Sequence, residues 1–199
     1  MTYSLPDYSS PEVPPAPNAI EKDVPLKQVL NDTSIRYLAR NIQLVDSAFD
    51  TERFYHAAIE GFEALSLMAR GHHIARALHL AFDRPYNESI DLLLASMTKR
   101  EEQAENFGLA GFFYLPHSSF IAEYGLNPEV NEGQDPFETS MQAQYELTQR
   151  FTAEFSIRPF LIEQTDRTLE VLKRWLDDPS PYVRRLCSEG TRPKLPWGK

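Results

Sequence analysis

From Pro25 onward apolar side chains recur at steps of three and four, first as Ile35, Leu38, Ile42 and Val45, which places them on one face of a helix. Asp50 stands where a helix cap is needed. After it a long periodic stretch carries Phe54, Ala58, Phe62, Leu65, Met68 and Ala69, and the pattern predicts a break near Gly71 and a resumption through Ile74, Leu78 and Phe82. Asp83-Arg84-Pro85 punctuates the chain before a short apolar helix, Ile90 to Met97, and Lys99 to Asn106 reads as a charged, solvated connection. Phe107 to Tyr114 is aromatic and is expected to form a buried turn of helix, although its weak periodicity also fits a strand. Pro116 opens a helix through Phe120, Ile121 and Tyr124, and Gly125 to Pro136 makes a loop.

Asp135-Pro136 supplies a cap and a first-turn proline, predicting a helix that runs to about Ile157, where Arg158-Pro159 ends or kinks it. Thr165 or Asp166 can cap the next helix, whose Leu169, Leu172, Trp175 and Leu176 share a face, with Trp175 in the core. The tight Asp177-Asp178-Pro179 connection follows. Ser180 then caps a last helix with Pro181 at its first position, and Gly190 is placed to end it in a left-handed conformation. Neither short helix of this final pair can bury its apolar face alone, so neighbouring pairs must stack, as in a helical solenoid. The Asp178 and Val183-Arg184 spacing matches a HEAT turn, in which Arg184 pairs with Asp178; an ordinary helical hairpin fits the same residues. The expected fold is all-α.

Residues 1–23 hold five prolines and few apolar side chains, a composition expected of a flexible tail, which leaves residues 24–199 as the helical domain. That length can bury a core without disulfides, and the single cysteine, Cys187, cannot form an internal one. No basic, apolar leader and no run of about 20 apolar residues is present, so the chain is expected to be cytoplasmic, with no membrane partner. The net charge of −9 argues against nucleic acid only until its distribution is seen: residues 1–155 carry −12 and residues 156–199 carry +3. A basic end permits DNA.

The run Gln149-Arg150-Phe151-Thr152-Ala153-Glu154-Phe155-Ser156-Ile157-Arg158-Pro159-Phe160, followed by Trp175, Val183-Arg184-Arg185-Leu186 and Ser188-Glu189-Gly190-Thr191-Arg192-Pro193-Lys194-Leu195-Pro196-Trp197, resembles the bacterial AlkC-type alkylpurine DNA glycosylases of the HEAT-like alkylation repair superfamily. Pro25-Leu26-Lys27 and Gly61-Phe62-Glu63-Ala64-Leu65 with Ala69-Arg70 extend the similarity, which spares only the tail. The resemblance implies a right-handed superhelix of HEAT-like helix pairs with a basic groove for double-stranded DNA containing alkylated bases. It also implies hydrolysis of the N-glycosidic bond of bases such as 3-methyladenine, by a monomer that associates with the nucleoid when bound. Members of the family usually continue into further repeats after the Leu-Pro-Trp segment, so the domain is expected to be truncated at its C-terminal end, with an acidic group and phosphate contacts supplied beyond it.

The chemistry selects residues. A base methylated on a ring nitrogen is already cationic and leaves without prior protonation; a carboxylate aimed at the oxocarbenium-like sugar stabilises the developing charge or positions water. Arg150, Glu154 and Arg158, four apart, would share one helix face, either as a surface salt-bridge ladder or with Glu154 as an ionised carboxylate held among cations. The resemblance places the catalytic role on Glu154. Glu123 is the second candidate carboxylate, its alternative being a solvated helix residue. Arg150, Arg158, Arg185, Arg192, Lys194 and Trp197 are the expected DNA contacts, since guanidinium forks match phosphate oxygens. His72, His73 and His79 lack the four-residue spacing of paired ligands, and no glycine-rich phosphate loop occurs, so neither metal nor cofactor is expected. The competing reading is a HEAT-like module that binds DNA or protein without hydrolysis.

Overall fold

The computed structural model describes residues 13–14, 23–100 and 109–193. Nine α-helices and no strand occur among them: α1 (Asp32–Val45), α2 (Thr51–Ile59), α3 (Leu67–Phe82), α4 (Tyr86–Ala95), α5 (Leu115–Tyr124), α6 (Phe137–Thr148), α7 (Ile157–Glu163), α8 (Thr165–Trp175) and α9 (Pro181–Glu189). Four 3₁₀ turns join them, at Leu26–Val29, Phe62–Ala64, Leu109–Tyr114 and Pro128–Asn131. Helices pack on their chain neighbours and on the next pair, α1 on α2 and α4, α3 on α5, α4 on α6, α8 on α9, which is the expected all-α, HEAT-like repeat arrangement. No helix among the described residues is long and apolar enough to cross a membrane.

Local chemistry sets several boundaries. Asp50 caps α2 by accepting from the Arg53 amide at 2.9 Å, and Asp135 accepts from the Phe137 amide at 3.1 Å ahead of α6. The break in the long apolar stretch comes earlier than expected. Gly61, at φ +68°, ends α2, and α3 runs unbroken through Gly71. Gly71 is needed for a different reason, because a Cβ there would sit 2.7 Å from Leu115 Cγ at the α3–α5 contact. Arg70, wholly buried, stacks over Phe62 and donates to the carbonyls of Lys27 and Leu30, fastening the first 3₁₀ turn to α3.

Three further expectations are corrected. Helix α6 ends at Thr148, so Gln149 to Ser156 form a turn where a continuous helix was predicted. Gly190 has φ −62°; it keeps room for Ile157 Cγ2, 3.0 Å from where a Cβ would lie. Leu176 is exposed, and the buried stripe of α8 is Thr168, Val171 and Leu172, with Trp175 half-buried against Tyr145.

The Asp178 turn keeps its expected residues with a different pairing. Arg184 donates to the carbonyls of Asp178 and Pro179, at 2.6 and 3.0 Å, while the Asp178 carboxylate accepts from the Tyr145 hydroxyl and the Ser180 amide. Of the proline-rich segment, only Val13 and Pro14 and the Asp23 that closes it are described. Val13 is buried and the Pro14 carbonyl accepts from Thr98 Oγ1 at 3.0 Å, so at those two positions the chain is docked. The rest of the predicted flexible tail lies outside the described residues, as do residues 101–106 of the predicted solvated connection.

Candidate nucleic-acid interface and its carboxylates

The turn between α6 and α7 carries Glu154. Its side chain is 11% exposed, and Oε1 lies 3.1 Å from Nη2 of Arg185, whose own side chain is 62% exposed on α9. That oxygen is buried and accepts no aligned hydrogen bond, so the guanidinium charge, not hydrogen-bond geometry, offsets its desolvation. The carboxylate thus sits on the same side as the basic last helix and nearly out of solvent, where charge acts over short range with little screening.

Arg150 does not join it. Because α6 stops at Thr148, Arg150, Glu154 and Arg158 form no helical face. The Arg150 side chain turns inward and is fully buried, donating to the Thr98 carbonyl at 2.5 Å, to the Glu146 carbonyl at 3.0 Å and to Glu146 Oε2 at 3.2 Å. Glu146, also fully buried, pairs in addition with Arg100. Burial raises the Glu146 carboxyl above its ordinary range, against the pull of Arg100 and Arg150. Arg150 is a structural cation with no path to a phosphate from this position, which corrects its expected place among the DNA contacts.

Arg158, at the start of α7, is spent on the chain that follows α9. It donates to the carbonyls of Arg192 at 2.9 Å and Pro193 at 3.2 Å, and so holds the segment that presents Arg192. Arg192 is exposed and pairs with Glu189 at 3.0 Å. Lys194 and Trp197 lie outside the described residues.

Glu123, in the last turn of α5, belongs to a second cluster. Its side chain is 25% exposed; Oε1 accepts from Arg76 Nε at 2.7 Å, and Oε2 lies 3.5 Å from His72 Nδ1. Next to it Tyr124 stacks on His79 with ring centroids 4.2 Å apart. Burial first, then the Glu123 charge, pushes the Tyr124 hydroxyl up to about 12, and burial lowers the His79 imidazole. Sequence reading missed Arg76 and His72 as partners of Glu123. The available signal was their four-residue spacing, which puts both on the α3 face that meets α5. The Arg185 pairing with Glu154 left no such signal, since thirty positions and two helices intervene.

Comparison with known proteins gives two similarities. The structure of Pseudomonas fluorescens alkylpurine DNA glycosylase AlkC bound to DNA containing an abasic site analog aligns with a TM-score of 0.72 and 32% identity, over 88% of this chain and 44% of that one. Over most of its length the chain is therefore similar to AlkC, in sequence and in fold. Bacillus subtilis YhaZ, an uncharacterized protein, is 30% identical over 176 residues, 87% of this chain and 44% of its own length. The chain spans less than half the length of these two proteins. No family model matches it.

Proposed function

We propose that the protein is a DNA alkylation repair glycosylase, hydrolysing the N-glycosidic bond of cationic bases such as 3-methyladenine in duplex DNA. The observation that carries this reading is Glu154: an anion nearly sealed from water, placed against the basic last helix in a chain similar to AlkC. A surface salt bridge would be solvated on both sides, and this one is not. As the bond from C1′ to the ring nitrogen breaks, its electron pair neutralises the base and leaves the sugar positive. A carboxylate with little water around it stabilises that charge strongly. Water then adds at C1′ and gives up a proton, for which Glu154 is the acceptor. Arg185 and Arg192, exposed beside Glu154 or on the adjoining segment, suit phosphate contacts, and Arg158 orders the segment that carries Arg192.

The test is release of 3-methyladenine from methylated duplex DNA by the full chain, together with the salt dependence of its DNA affinity. Release with steep weakening in salt is expected. Salt-sensitive binding without release would leave a non-hydrolytic DNA-binding module in its place.

A further inference from the structure

We propose that Arg185 couples engagement of the DNA backbone to unmasking of Glu154: in the free protein its guanidinium covers the carboxylate, and on DNA it moves to a phosphate and leaves the carboxylate facing the sugar. The inference rests on the glycosylase reading of Glu154.

The two partners differ in freedom. Glu154 is fixed in a buried turn between Phe151 and Ala153 on one side and Ser156 and Ile157 on the other, whereas Arg185 extends from α9 with most of its side chain in water. Only the arginine can leave without disturbing packing. Its departure is also required by the chemistry. A guanidinium 3.1 Å from Oε1 offsets the carboxylate charge that a positive sugar would need. The neighbouring arginines are anchored differently: Arg184 by two backbone carbonyls, Arg158 by the carbonyls after α9, and Arg192 by Glu189. A phosphate offers Arg185 two oxygens for its fork in place of one misaligned carboxylate oxygen. Arg185 is therefore a positioning residue that acts through Glu154, and backbone binding would arm the site only when DNA is present.

The exchange is measured as a binding cycle, with fluorescence anisotropy of the full chain on a short labelled duplex across a salt series. Arg185→Ala is expected to reduce the salt slope by about one phosphate contact. Glu154→Gln is expected to tighten binding about fivefold by freeing Arg185 in advance, and to lose that gain in the Arg185→Ala background. Arg185→Lys, which keeps the charge, should retain the slope. An unchanged slope in Arg185→Ala, or a Glu154→Gln effect that is the same with and without Arg185, would overturn the exchange. A structural role alone would produce no such coupling on DNA affinity. If the coupling holds while Glu154→Gln still releases base at the parental rate, the catalytic reading fails and the exchange survives; if the parent has no affinity for DNA, both fall.

Discussion

Replacing Arg150 with methionine should destabilise the fold far more than the loss of a surface charge, and by an amount that depends on pH. The side chain is fully buried, and its removal deprives the Thr98 carbonyl, the Glu146 carbonyl and Glu146 Oε2 of a donor, with methionine filling most of the volume. Breaking a buried pair by deleting one partner costs about 3–5 kcal/mol. Arg100 still faces Glu146, so the lower end is expected, about 3 kcal/mol, or roughly 6–12 °C in Tm for a chain of this size. The pH dependence follows from the Glu146 carboxyl, which burial raises above its unfolded value. A raised carboxyl favours the fold in its protonated form, and that contribution is lost as pH rises through the folded value. Without Arg150 the rise is larger, so the deficit of the variant should be greatest near neutrality and shrink as the solution is acidified and Glu146 takes up its proton. Urea unfolding of parent and variant, followed by circular dichroism at several pH values, reads both effects. A deficit below about 1 kcal/mol, or one independent of pH, would refute the buried-pair argument.

Two further outcomes rest on single contacts. Gly71→Ala places a Cβ 2.7 Å from Leu115 Cγ and should lower stability by about 1–3 kcal/mol in the same assay, despite the better helix propensity of alanine. His117 is buried with neither ring nitrogen hydrogen-bonded, and burial, reinforced by Arg150, lowers its pKa to about 3. A depressed imidazole contributes stability above its unfolded pKa that is lost as pH falls toward the folded value. His117→Leu should therefore remove up to about 1.4 kcal/mol per pH unit from the loss of stability below about pH 6.5, and identical acid profiles would contradict it.

Much of the fold was readable because its determinants are local. Asp50 and Asp135 cap from within three residues, and the apolar steps of α1 and α3 match the faces they bury. What escaped was decided by distant contacts. Nothing between Gln149 and Ile157 is a helix breaker, so the pattern continued a helix that the structure ends. There Arg150 is captured by Thr98, fifty-two positions earlier, and Phe151 and Ala153 are drawn into the core. The error at Gly71 has the same origin: glycine signals either a bend or a close approach, and only the position of α5 tells which. For the site, Glu154 was identifiable by resemblance, but its environment was not. The expected ladder with Arg150 and Arg158 followed from the overlong helix, whereas its actual partner, Arg185, comes from another helix pair.

The central claim is that Glu154 meets the sugar as it becomes positive, and single-turnover release of 3-methyladenine by the full chain and by Glu154→Gln tests it most directly. The amide keeps the size of the side chain and removes the charge, so the rate on saturating protein should fall about 10²–10³-fold while DNA binding is retained. Release by Glu154→Gln at the parental rate would contradict it.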